Sequence, residues 1–188
     1  LALCAKPERS IYLDLSQSAA KQDEMFAEVK KMLESTTNPK IFHGLKKAVQ
    51  LFTNFGIELK GIYSDVMLAA HMTDPLARRY DLDYLLGSKL NLRRNPIDSA
   101  ETVQKESQLS MFDEAEIEDQ NSYVQYCENA SIILRLRRQL SPQLKQTRME
   151  AAFRNIEIPL AATLAKLEQS GIRLDVDVMS KISLEFEE

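Results

Sequence analysis

Between Lys40 and Met72 the apolar positions change their period repeatedly. Ile41 and Phe42 open a short apolar strand. From Gly44 the spacing turns helical, with Leu45, Val49 and Phe52 three to four residues apart on one face. Gly56 stands where that helix should stop, since glycine accepts positive φ without a Cβ clash. Ile57 to Tyr63 is β-branched and reads as extended. Val66, Leu68 and Ala69 begin a second helix that Asp65 is placed to cap and that ends before Pro75. Strands alternating with helices predict an α/β layer whose sheet is covered on both faces.

The same reading extends in both directions. Leu1 to Ala5 and Ile11 to Leu15 flank Lys6-Pro7-Glu8-Arg9, which predicts a β-hairpin with a polar turn. The alternation of Ile11, Leu13 and Leu15 places those three on its buried face. Ala20 to Leu33 is an amphipathic helix, with Met25, Phe26, Val29, Met32 and Leu33 as its apolar stripe. Asp81 to Leu86 predicts a short helix. Lys89 to Ser110 is polar, and its Arg93-Arg94 pair reads as solvated surface. From about Glu116 to Leu140 a long helix fits, with Tyr123, Tyr126, Cys127, Ala130, Ile133 and Leu134 recurring at three and four residues. Arg135, Arg137 and Arg138 are expected near its C-terminal end and, with Lys145 and Arg148, form the densest basic segment; opposing the helix dipole is the simpler account of them, and contact with a DNA backbone is the alternative. Met149 to Ser170 predicts another helix, with Phe153, Ile156, Leu160, Leu164 and Leu167 on its apolar face and an offset at Pro159. Gly171 ends it, Ile172 to Asp175 is a short extended piece, and Asp175 or Asp177 caps a last helix.

Composition narrows the function classes more than it names one. The chain of 188 residues suits one domain, or one domain and part of another. A net charge of −4 supplies no global field that would draw it to DNA. Cys4 and Cys127 lack a CxxC spacing and fit two thiols in a reducing cytoplasm. Apolar runs are too short to span a bilayer. The opening LALCAKPERS and the closing SLEFEE read as interior segments, so a piece cut from a longer protein is expected. There is no P-loop, GxSxG, HExxH or GxGxxG. His43 and His71 read as structural or surface histidines. The acids Asp113, Glu114, Glu116, Glu118 and Asp119 suit an exposed helix start better than a metal site.

The central stretch carries a family resemblance. Leu45, Lys46, the Gly56-Ile57-Glu58-Leu59 run, Asp65, Met67 and Leu68 match the 3′→5′ exonuclease domain of family A DNA polymerases, the bacterial DNA polymerase I type. Glu157, Pro159, Leu160, Leu164, Gly171 and Asp175 resemble the entry into the polymerase portion of that family. The resemblance covers nearly the whole chain and is weakest over 87–115. It implies a ribonuclease-H-like fold, a mixed sheet flanked by helices, whose first strand would precede Leu1. It also implies a division into an exonuclease-like domain, 1–148, and the start of a polymerase domain, 149–188.

What the resemblance implies about chemistry turns on departures from the family pattern. Two-metal phosphodiester hydrolysis needs carboxylates that hold two divalent ions about 3.5–4 Å apart. The family takes these from an Asp-x-Glu pair on the first strand and from one aspartate on each of two helices. Gly44 occupies the family's asparagine position, and Ala48 one helical aspartate position. Tyr123 keeps a water-placing tyrosine, while Cys127 replaces the second helical aspartate. A register starting at Tyr126 puts Ala130 there instead, and Lys47 adds positive charge beside Ala48. A methyl group cannot bind magnesium, and a neutral thiol is a poor ligand for it.

The expected reading is therefore a catalytically inactive, architectural exonuclease domain with no cofactor of its own. It would belong to a monomeric, cytoplasmic DNA polymerase of replication and repair. That polymerase would use magnesium and hold primer-template DNA through a region outside this chain. Two alternatives stand beside it. One is an active exonuclease with displaced ligands such as Glu128 or the acids at 113–119. The other is a single-stranded DNA binding module using Tyr12, Tyr63, Tyr80, Tyr84, Tyr123 and Tyr126.

Overall fold

The computed structural model describes residues 1–14, 19–94, 111–173 and 175–187; for 19–23, 111–122 and 187 it describes the backbone only. Strands β1 (Ala2–Lys6) and β2 (Arg9–Tyr12) form an antiparallel hairpin that pairs Leu3 with Ile11 and Cys4 with Ser10. In its turn Lys6, Glu8 and Arg9 are exposed, whereas Pro7 is buried and its carbonyl accepts from Ser131 Oγ at 2.6 Å. The expected facing of β2 is reversed. Ile11 is 51% exposed, whereas Ser10 and Tyr12 turn toward the long helix α5 (Met111–Gln146). Alternation shows that a strand has two faces, but the packing partner decides which one is covered.

Helix α1 (Ala19–Glu34) buries Val29 and Leu33 beside Ile57, with Phe26 and Met32 against them. Strand β3 (Lys40–Phe42) leads into α2 (Leu45–Asn54), and β4 (Ile62–Asp65) returns parallel to β3. A parallel pair needs such a crossover connection. Gly56 ends α2 as expected: at φ 67 it lets its own N–H reach Thr53 O at 2.9 Å and Ile57 N–H reach Phe52 O at 2.9 Å. The extended run expected over 57–63 is split, however. Gly61 turns at φ 65, and only the residues after it join the strand.

Helices α3 (Val66–Thr73) and α4 (Leu82–Leu90) follow, capped by Asp65 and Asp81. Among the described residues the strands form two two-stranded ladders rather than one continuous sheet. Helix α5 packs on β1, β2, β3, α3 and α4, and so joins the two ladders. It runs beyond the predicted limits at both ends, so Arg135, Arg137 and Arg138 lie inside it rather than at its end.

A short helix α6 (Glu150–Ala152) passes through a π-helical turn (Phe153–Glu157) into α7 (Ile158–Ser170), with Pro159 in the first turn of α7. Proline has no N–H for the preceding turn, and the wide turn takes up the break. The predicted apolar face of this segment is buried at Phe153 but not at Ile156 or along α7. Ile158, Ala161 and Ala165 are buried, and α7 packs on α2, while Leu160, Leu164 and Leu167 are 41–61% exposed. Small side chains let two helix backbones approach closely, and the larger leucines are left outward. The extended piece expected over 172–175 is not a strand at its described residues, Leu174 lying outside them, and Asp175 caps α8 (Val176–Glu187) by accepting from Asp177 N and Val178 N, each at 3.1 Å. The main core gathers Leu45, Val66, Leu85, Leu136, Leu140 and Ala165, so it draws on residues from both sides of position 148. Among the described residues no helix is long and apolar enough to cross a membrane.

Candidate active site

Gly44 opens α2 in the left-handed region, at φ 83, and offers no side chain to cap it. The first-turn N–H groups of a helix need an acceptor from elsewhere. Asp65, at the end of the neighbouring strand β4, supplies one. Its Oδ2 accepts from Leu45 N, and its Oδ1 accepts from Met67 N at 2.7 Å and Leu68 N at 3.2 Å. One fully buried carboxylate therefore caps two helices. It is committed to backbone donors and is not a spare ligand. Sequence reading assigns Asp65 to α3 alone; its bond to α2 exists only because β3 and β4 are paired.

Ala48 lies half-buried on α2, one turn after Gly44, with Lys47 exposed beside it. Lys46 turns toward α7 and donates to Glu168 Oε1 at 2.8 Å, and Gln50 Nε2 donates to Glu168 Oε2 at 2.8 Å. The Lys46 hydrogen bond, followed by that of Gln50, holds the Glu168 carboxyl below the ordinary glutamate range. This face of α2 thus makes a polar seam with α7.

Tyr123 and Cys127 stand one turn apart on α5. The Tyr12 ring lies 5.4 Å from Tyr123 and stacks on Tyr126 at 6.1 Å. Cys127 is half-buried, and its carbonyl accepts from Ser10 Oγ at 3.0 Å. These contacts seat the hairpin on α5. They use the aromatic rings on one another, although Tyr126 stays 50% exposed.

Glu128 is engaged by a residue that sequence reading left on the surface. Arg94 donates to Glu128 Oε2 at 3.1 Å, to Asn129 Oδ1 at 2.6 Å and to Asp83 Oδ1. The Arg94 side chain is only 22% exposed. A guanidinium with several N–H donors suits such a junction of acceptors. The acids at 113–119 belong to α5, but their side chains lie outside the described residues.

The two histidines meet at one residue. His43 Nε2 is 2.8 Å from Tyr80 O, and the His71 ring stands edge-on to the Tyr80 ring at 5.1 Å. Both serve the packing of the 74–81 loop. Among the described residues, no group of three or more His, Cys, Asp or Glu is placed to hold a metal ion. The groups at these positions do not fit a two-magnesium centre: a methyl at Ala48, a thiol at Cys127, and a carboxylate at Glu128 already on a cation.

A second polar cluster was missed from sequence because its members are far apart in it. Arg137 and Arg154 each donate to Tyr63 Oη at 2.8 Å, and their guanidinium carbons lie 4.7 and 4.6 Å from the Tyr63 ring centre. Burial would raise the Tyr63 phenol, but the two arginines outweigh it and hold the phenol below the usual tyrosine range.

The chain and its fold have counterparts among known proteins. Residues 2–145 match the 3′-5′ exonuclease family of DNA polymerase A. DNA polymerase I of Mycobacterium tuberculosis H37Rv is 29% identical over 186 residues, 99% of this chain and 20% of the relative. The chain therefore spans about one fifth of the length of such relatives. Among solved structures, the POL domain of Pol1 from M. smegmatis, in complex with DNA primer-template and dNTP, superposes with a TM-score of 0.73. The identity is 22%, over 95% of this chain and 26% of that one. Brucella melitensis NrnC bound to pGG gives a TM-score of 0.58 at 16% identity, covering 91% of this chain and 82% of that one. Sequence and fold agree across nearly the whole chain: it belongs to the 3′-5′ exonuclease family carried by bacterial DNA polymerase I.

Proposed function

We propose that this chain is part of a DNA polymerase I in which the exonuclease domain, 1–148, has an architectural role, joined to the start of the polymerase domain, 149–188. The observation that carries the reading is the donor set: Ala48 and Cys127 stand where the family resemblance asks for carboxylates. The displaced-ligand alternative is disfavoured because Glu128 is held by Arg94. A metal brought to Glu128 would have to compete with a guanidinium already in place.

The architectural role draws on α7. Its alanine face is locked to α2, with Lys46 and Gln50 on Glu168 and Gln169 Nε2 donating to Gln50 O at 3.0 Å. Its outward leucines, together with exposed Ile182 and Phe186 of α8, are the surface that further polymerase structure would cover. The whole protein would extend a DNA primer with magnesium in its polymerase portion, acting as a monomer in the cytoplasm.

The test is incubation of a 5′-labelled single-stranded oligonucleotide with the protein in magnesium and then in manganese. A stable full-length band is expected with both metals. A descending ladder above a mock preparation overturns the inactive assignment.

A further inference from the structure

The C-terminal end of α5 closes in a turn that leaves cations without partners. Arg148 takes φ 59; its N–H donates to Lys145 O at 3.1 Å, and Met149 N donates to Leu144 O at 2.9 Å. This bond pair satisfies the helix's last carbonyls from the backbone itself. The chain then bends into α6, leaving an open cleft of about 440 Å³ lined by Lys145, Arg148, Glu150, Ala151, Arg154 and Asn155.

Three cations and one carboxylate line this cleft, and the carboxylate is already used: Arg154 donates to Glu150 Oε1 at 3.1 Å. Lys145 and Arg148 are exposed and form no ion pair among the described residues. Arg154 is held by Tyr63, which also carries Arg137, whose Nε is buried and finds no hydrogen-bond partner among the described residues. Positive charge is thus concentrated here in a chain whose net charge is −4. Crowding like charges is unfavourable, and a bound anion would offset it. The open shape suits a strand passing through rather than an enclosed small molecule.

We infer that this cleft binds the phosphodiester backbone of a nucleic-acid strand without reading its sequence, with Lys145 and Arg148 as the phosphate contacts and Arg154 as the positioned wall. The inference rests on the polymerase reading for the presence of DNA, but it names a site apart from Ala48 and Cys127.

The test compares the intact polypeptide with a Lys145→Gln/Arg148→Asn variant, asparagine being chosen because it tolerates the left-handed backbone of position 148. An Arg135→Gln/Arg138→Gln variant removes equal charge from exposed positions of α5 outside the cleft. Binding to a labelled duplex primer-template and to a single strand is followed between about 50 and 200 mM salt. Loss of two phosphate contacts should flatten the log K against log salt slope by about 1.8 for the duplex or about 1.4 for the single strand. The control should keep the parental slope, and the substrate whose slope changes identifies the bound form. Parental slopes in the cleft variant on both substrates overturn the inference while leaving the polymerase reading intact. A parental protein that binds neither substrate also overturns the inference, while the polymerase reading stands because it places primer-template DNA on a region outside this chain.

Discussion

Arg94 donates to Glu128 at 3.1 Å and thereby occupies the carboxylate nearest to Cys127 in sequence. The same guanidinium reaches Asn129 and Asp83, so it ties the segment after α4 to the first turn of α4 and to the middle of α5. Arg94→Ala should leave Glu128 without its cation. The pair is partly exposed, which limits the cost to about 1 kcal/mol, or a melting temperature lower by about 2–4 °C. Glu128→Gln should not change how fast a labelled oligonucleotide is degraded. A nuclease background that disappears in Glu128→Gln would mean that Glu128 binds metal.

Asp65 should be the most sensitive polar residue in the chain. Asp65→Ala would leave the Leu45, Met67 and Leu68 N–H groups without their buried acceptor. The expected loss is about 3 kcal/mol or more. Asp65→Asn keeps one acceptor oxygen and should recover part of it. Chemical denaturation of the two variants measures the difference.

Two glycines with similar backbone angles should respond in opposite ways. A Cβ on Gly61 would lie 2.7 Å from the carbonyl oxygens of both Asn38 and Ser35, which Lys40 Nζ also binds. Gly61→Ala should therefore cost about 2 kcal/mol or more, from steric clash and from its positive φ together. At Gly44 a Cβ meets nothing within 4 Å. Gly44→Asn, the residue type expected in the family at that position, should change stability by less than about 1 kcal/mol.

Tyr63 should ionise below the usual tyrosine range. Its phenol is held below the usual range because two arginine hydrogen bonds outweigh the opposing effect of burial. A depressed acid contributes folding stability above its unfolded pKa and loses that contribution as pH falls through its folded pKa. This contribution is therefore fully present only above the ordinary tyrosine pKa and fades as pH falls through the lowered one. Ultraviolet titration of phenolate should show a step below the usual tyrosine range, and Tyr63→Phe should remove it. An unchanged titration curve in that variant would place that step elsewhere.

Much of the architecture was readable because it depends on local rules. Asp65, Asp81 and Asp175 cap helices through their own next few N–H groups. Gly56 ends α2 through its own backbone freedom. The offset at Pro159 follows from one missing N–H. The residue types that bear on chemistry, Gly44, Ala48, Tyr123 and Cys127, were legible in the same way, because a methyl or a thiol has its ligand properties wherever the fold puts it.

Other features depend on which surfaces meet. Periodicity marked Ile11 and the leucines of α7 as inward, yet α5 took the Tyr12 face of the hairpin and α2 took the alanine face of α7. An apolar stripe states that burial is favourable, but not what will cover it or whether a smaller face packs more closely. Arg94 on Glu128, Asp65 on Leu45, and Arg137 with Arg154 on Tyr63 join residues 20 to 91 positions apart. Local spacing by itself determined most of the helices and their caps, and the expectation of missing carboxylates came from the family resemblance carried by those residues. Tertiary structure alone decided which charges are neutralised, because that depends on distances through space that no local pattern encodes.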